Sequence, residues 1–230
     1  MFKVVLLVFL ISFTFVEKGY SEEEYINTDH GSLKVINKNS SVVVSAPHGT
    51  YDINTGAITH QVCNELNVGC IIAKGFVPKG IRINVNRPTE GVGKKWSQEP
   101  VTARASEVYK KYKAEILKIT NNNLKWYFEV HGSREKGMEI ALHNITHGEA
   151  IIIKSILKEE WSTYSSNKVS IKVQSIDNIE MTGGAVKKFG IVHELQPKYV
   201  QFEFSKKLRK NKSLLSKFLV RSINRITSEI

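Results

Sequence analysis

The feature that most constrains this chain is an alternation, along nearly its whole length, of short β-branched runs with stretches carrying apolar residues at a 3.6-residue spacing. Residues 33–36, 42–46, 70–74, 81–85, 124–130, 139–142, 169–174 and 200–204 read as strands. Between them, residues 101–119 place Val101, Ala105, Val108, Tyr109, Tyr112, Ile116 and Ile119 on one helical face, with Pro100 before the first turn. Residues 148–162, with Ile152, Ile153, Ile156 and Leu157, and residues 212–228, with Leu215, Phe218, Leu219, Ser222 and Ile226, read as covering helices, and residues 55–66 as another. Strands and helices in alternation predict an α/β fold with a mixed central sheet. No linker rich in Pro, Gly or Ser divides residues 22–230 and nothing repeats at a fixed period, so one domain is expected.

The N-terminus has a different character. Lys3 precedes an apolar run over residues 4–16, followed by Gly19-Tyr20-Ser21 and then Glu22-Glu23-Glu24. This is the pattern of a secretory signal peptide over residues 1–21. The run spans only about 20 Å as a helix, against a hydrocarbon core of about 30 Å, so cleavage and export to the periplasm or medium are expected, with no stable membrane span. The formal charge of +11, from 33 basic and 22 acidic residues, favours anionic partners. The basic residues are scattered, apart from Lys206-Lys207-Leu208-Arg209-Lys210, and no nucleic-acid motif accompanies them, so no nucleic-acid partner is expected. Cys63 and Cys70 are too few for a cysteine-ligated metal; in an oxidising compartment they form either one short-loop disulfide or two buried thiols.

Four segments carry chemistry. Pro47-His48-Gly49-Thr50-Tyr51-Asp52 follows an apolar strand, which puts His48 and Asp52 at the carboxyl edge of the sheet, where open α/β sheets bind ligands. Glu129-Val130-His131-Gly132 ends another buried-type strand and brings His131 to the same edge. Two His and one carboxylate, with a fourth position left for water, is the usual catalytic zinc arrangement. His30, His60, His143, His147 and His193 lack that context. Asn86-Arg87 closes a strand before Pro88 and offers a planar fork for a carboxylate or an oxyanion, or else is a surface pair before a turn. In Val200-Gln201-Phe202-Glu203-Phe204, alternation puts Gln201 and Glu203 on one face and the two Phe on the other. Glu203 is then either solvated or a general base aimed into the site. There is no Gly-x-Ser-x-Gly nucleophile segment and no phosphate-binding loop; Thr182-Gly183-Gly184-Ala185 reads as a turn into a helix.

These segments together resemble the N-formylglutamate amidohydrolase family and, more distantly, the zinc carboxypeptidases and aspartoacylases that share a phosphorylase/hydrolase-like core. The resemblance rests on Pro47-His48-x-Thr50, Asn86-Arg87, Glu129-x-His131 and Gln201-x-Glu203, collinear over residues 42–209. It implies a three-layer α/β/α domain that holds one zinc ion (Zn2+) through His48, an acidic residue and His131. Glu203 would be the general base and Asn86-Arg87 the binder of a substrate carboxylate, with Arg82 or Arg104 assisting the oxyanion. In the carboxypeptidase pattern the acid lies three residues after the first His, where this chain has Tyr51, and Asp52 is the expected replacement. Glu129 would orient a ligand through a hydrogen bond. The implied activity is hydrolysis of an amide beside a carboxylate, as in N-acyl amino acids, γ-glutamyl compounds or wall peptides. The competing reading is an exported, non-catalytic module that binds anionic polymers on the same fold.

Overall fold

The structure, a computed structural model, describes residues 22–91 and 96–230; the segment read as a signal peptide lies outside the described residues. The chain runs β1 (Glu22–Thr28), β2 (Gly31–Asn37), β3 (Val42–Ala46), α1 (Thr55–Glu65), β4 (Gly69–Gly75), β5 (Arg82–Ile83), β6 (Glu90–Gly91), α2 (Ala103–Ile119), β7 (Trp126–Ser133) and β8 (Met138–His143). It continues through α3 (His147–Tyr164), β9 (Ile171–Val173), α4 (Gly184–Phe189), α5 (Ile191–Leu195), β10 (Lys198–Ser205), α6 (Lys206–Arg209) and α7 (Lys212–Glu229).

Eight strands form one mixed sheet in the order β1-β2-β4-β3-β7-β10-β8-β9. The four central strands β4, β3, β7 and β10 are parallel, and β2 and β8 flank them antiparallel. Their side chains sort strictly by parity. Val44, Phe128, Val130, Phe202 and Phe204 join the core beneath α1, α3 and α7; Val43, Tyr127 and Tyr199 join a second core beneath α2, α4 and α5. The result is a three-layer α/β/α arrangement in which both faces of the central strands are covered, as parallel strands require. Gln201, Glu203, Glu129 and His131 share parity with the second core and reach the carboxyl edge.

The structure departs from the sequence reading in four places. Residues 22–28 form an edge strand, because β1 needs only main-chain bonds to β2 and tolerates its exposed acidic side chains. The expected strand at 81–85 shrinks to Arg82–Ile83 in a separate two-stranded ribbon with β6, since Asn84 turns its side chain onto Thr89. Helix α2 starts at Ala103 behind the Thr102 cap, leaving Val101 exposed, and on α3 Ile152 faces solvent while Ile153 is buried. The turn into a helix at 182–185 forms as read, with Gly183 at φ 64° ahead of α4.

Cys63 of α1 and Cys70 of β4 are joined in a disulfide with a Cα separation of 6.1 Å, so the alternative of two free thiols does not hold. The bridge closes a short loop, with a sequence separation of 7. Loop entropy gives it about 2–3 kcal/mol. Cys63→Ala/Cys70→Ala is expected to lower the unfolding free energy by that amount, read as a fall in the denaturant midpoint at unchanged m-value, with no change in metal content; an unchanged midpoint would contradict the bridge.

Candidate metal centre

Strand β3 delivers the first group. Its buried run ends at Ala46, and the chain then folds back in a turn where the Asp52 amide donates to His48 O at 2.7 Å. Asp52 O in turn accepts from the amide and hydroxyl of Thr55, which starts α1. His48 and Asp52 are thereby held on one side of a single turn. The second group comes from β7, where His131 projects from the same face as Tyr127 and Glu129.

The three side chains converge. The Asp52 Oδ2 atom lies 3.6 Å from His48 Nδ1 and 3.5 Å from His131 Nδ1, and the rings meet edge to face with centroids 5.0 Å apart. One ligand atom from each residue falls within 4.8 Å of the others. Atoms bound at about 2.0–2.2 Å around a tetrahedral ion lie about 3.4 Å apart, so the spacing fits ligands of one cation and is too long for direct hydrogen bonds. The His131 ring orientation agrees: Nε2 faces Glu129 Oε2 at 3.0 Å, so once the ring loses its second proton an Nδ1 lone pair is turned toward Asp52. His48 Nε2 is buried without a partner among the described residues. These residues fit a zinc ion, as two imidazoles and one carboxylate with room for a further ligand.

The surroundings fix each ligand. Asp52 Oδ2 also accepts from the Gly132 amide at 3.0 Å. The Arg209 guanidinium lies against Gly132, where any Cβ would clash at 2.5 Å, and donates to Phe204 O and Ile53 O. Arg209 thus ties the loop of Asp52 to the ends of β7 and β10, a structural duty for part of the basic run. Glu129 is fully buried and accepts from Asn86 Nδ2 at 2.8 Å, Tyr127 Oη at 2.8 Å and Tyr199 Oη at 2.7 Å, besides its contact with His131. Asn86 is positioned by α5, because Gly190 lets the Ile191 amide reach Asn86 O.

Electrostatics follow from this geometry. Burial opposes charge on Asp52 and Glu129, yet the neighbouring imidazoles, and for Glu129 the hydrogen bonds from His131, Asn86 and Tyr199, outweigh it and keep both well below the usual carboxylate range. Burial also opposes charge on His131, but the Asp52 carboxylate beside it and its contact with Glu129 raise it above the ordinary histidine value. His48 is pushed down to about 4 by burial. Glu203 differs: burial, aided by the Asp52 charge, pushes it up to about 7. Its Oε1 accepts from Gln201 Nε2 at 2.6 Å, and its buried Oε2 has no partner among the described residues.

All these groups line a cleft of about 310 Å3 together with Arg82, Arg87, Asn86 and Glu99. Arg87 is buried and donates from Nε and Nη2 to Glu99 at 3.0 Å each and from Nη1 to Asn86 Oδ1 at 3.3 Å. Among the described residues, two of its five N–H groups, one on each Nη, have no acceptor. Arg82 borders the cleft, 3.4 Å from Glu99 and with its guanidinium over the Tyr51 ring. Arg104 is not brought there: it pairs with Glu90 through Nε and Nη2, because α2 places it beside β6. Tyr51, three residues after His48, is exposed while Asp52 faces the ring pair. The sequence reading missed Glu99, which lies in a stretch without apolar period, and missed the tyrosines around Glu129. The alternation Tyr127-x-Glu129-x-His131 and Tyr199-x-Gln201-x-Glu203 was the signal that could have found the latter.

Comparisons of the sequence with protein-family models and with curated proteins give no match. Solved structures do match the fold. A metallo-carboxypeptidase from Burkholderia cenocepacia superposes with a TM-score of 0.56 at 12% identity, over 90% of this chain and 65% of that one. A bacteriophage poly-gamma-glutamate hydrolase does so with a TM-score of 0.53 at 12% identity, over 87% of this chain and 91% of that one. At such identities the likeness shows a shared fold, that of metallo-carboxypeptidase-like hydrolases.

Two outcomes are expected for zinc uptake. Glu129→Gln should weaken zinc about 10–100-fold in competition with a chelator. Because His131 has a raised pKa, zinc must displace its proton at neutral pH, so affinity should rise about tenfold per pH unit below that pKa; calorimetry in buffers of different ionisation enthalpy reads the release, and binding without proton release would count against His131 as a ligand.

Proposed function

We propose that this chain is an exported zinc-dependent amidohydrolase, N-formylglutamate amidohydrolase-like, that cleaves an amide bond next to a carboxylate. The observation that carries the reading is the convergence of His48, Asp52 and His131 within one ligand sphere, in a cleft that also holds an unpaired Glu203 oxygen. The fold likeness to a metallo-carboxypeptidase and a poly-gamma-glutamate hydrolase supports hydrolysis of peptide-type bonds. Export is supported by the N-terminal segment and by the Cys63–Cys70 bridge, which suits an oxidising compartment. Among the described residues no helix is long and apolar enough to cross a membrane.

His48, Asp52 and His131 would hold the zinc ion, which when bound supplies Lewis acidity toward a carbonyl oxygen and acidifies water. Glu203 acts as general base through Oε2, taking a proton from the attacking water and delivering it to the leaving nitrogen. A pKa near 7 suits both transfers at neutral pH. Gln201 fixes the other Glu203 oxygen, so the base keeps one orientation. The two free N–H groups of Arg87 take the substrate carboxylate, with Glu99 and Asn86 holding the guanidinium plane. Arg82 at the cleft wall assists the developing oxyanion.

Glu203→Gln tests the chemistry. It should lower kcat by about 100-fold or more while the protein keeps one zinc per chain; N-acyl amino acids and γ-glutamyl peptides are the substrates to screen. Full activity in the variant would remove Glu203 as the base. Arg87→Met should raise KM for carboxylate substrates far more than for their amide-capped analogues.

A further inference from the structure

We infer that a basic ledge beside the cleft, formed by Arg134, Lys136, Lys206, Lys207, Lys210 and Lys212, is a docking surface for a polycarboxylate chain, so that the substrate is a polymer and not a single N-acyl amino acid. The inference rests on the amidohydrolase reading for what happens in the cleft, and on the ledge alone for what binds.

The residues come together through the topology. Strands β7 and β10 pair in parallel register up to Ser133 and Ser205, so the turn after β7 and the helix after β10 leave the sheet side by side. The Ser205 amide donates to Gly137 O, which closes the two segments against each other. Arg134 and Lys136 lie in the first, Lys206, Lys207 and Lys210 in the second, and Lys212 opens α7. All six are exposed, and among the described residues none of their side chains has an ion pair or hydrogen bond. Glu135 is the one acid in these two segments, whereas Lys34, Lys154 and Lys198 elsewhere on the sheet are paired with acids.

The ledge is coupled to the site. Arg209, in the midst of the lysines, is buried against Gly132 and bonds to Ile53 O, while Asn54 donates to Arg209 O. Gly132 is the residue whose amide holds Asp52. Glu180, exposed at the cleft, is an acid outside the ledge, so an anionic chain is drawn to the ledge and not to Glu180. Residues 132–137 and 205–213 contain no aromatic side chain, so the ledge offers no platform on which bases could stack. Lysines on flexible stems act as point charges suited to loosely spaced carboxylates.

The test uses fluorescein-labelled poly-L-glutamate and poly-γ-glutamate as probes, with the mature chain. Lys206→Ser/Lys207→Ser/Lys210→Ser/Lys212→Ser should weaken polymer binding roughly tenfold or more at low salt and flatten its dependence on NaCl. The matching Lys→Arg replacements should retain binding, and Lys38→Ser/Lys125→Ser at the other end of the sheet should change nothing. Turnover of a short γ-glutamyl peptide should be equal in all variants. Polymer binding unaffected by the four serines, or single-stranded DNA bound more tightly than either polymer, would overturn the ledge. Lysine-dependent binding in a protein that hydrolyses none of the substrates would leave the ledge standing and remove the amidohydrolase reading instead.

Discussion

Glu129 is the constraint on which the rest of the site depends. A carboxylate with no access to water costs several kcal/mol unless its lone pairs are filled, and this one is filled by Asn86, Tyr127, Tyr199 and His131. The four donors come from three parts of the fold: the segment after β5, two positions on β7, and β10. Satisfying one charge therefore sets the spacing of three elements. Removing a single partner of such a buried charge costs more than the bond itself is worth, because the charge remains. The hydroxyl of Tyr127 is held in turn by Tyr112 of α2, which also meets Ser45 of β3, so the arrangement reaches into the helical layer.

The second fixed point is the loop of Asp52. Its conformation is short-range in origin, a turn from His48 O to the Asp52 amide, but its position is not. Arg209 binds Ile53 O and Phe204 O together, and Gly132 supplies the space and the amide that lock Asp52 in place. Strand ends of β7 and β10 and the loop after β3 are thereby one unit, which is why residues 80 positions apart act on the same oxygen.

Much of this was legible in the chain itself. The period of 2 in β7 and β10 separates the Phe face from the acid and imidazole face, and the parallel order of buried strands puts His48 and His131 at one edge. Asp52, not Tyr51, facing the ring pair follows from the single turn between His48 and Asp52. What could not be read were contacts set by folding at long range. Arg82, Arg87 and Arg104 look alike in sequence; Arg104 pairs with Glu90 and Arg87 with Glu99 because β6 and residues 97–100 lie where no periodic signal announces them. The edge strand β1 was hidden for the opposite reason, since an acidic, exposed strand shows no burial pattern. The two cysteines left bridge and thiols equally open until the packing of α1 on β4 set their separation.

The charges of the site follow from the same geometry and agree with a cation. Asp52, Glu129 and Glu203 approach one another in a buried volume around two imidazoles, which favours the protonated form of His131 and pushes the Glu203 pKa up to about 7. Both responses supply positive charge, or remove negative charge, at the point where His48, Asp52 and His131 converge. A divalent cation held there would do the same with both charges at once, would leave the His131 Nδ1 free for coordination and would lower the cost of ionising Glu203. The carboxylates that make the fold electrostatically awkward are thus the ones that the proposed metal centre would use, Asp52 as ligand, Glu129 as orienting group and Glu203 as base.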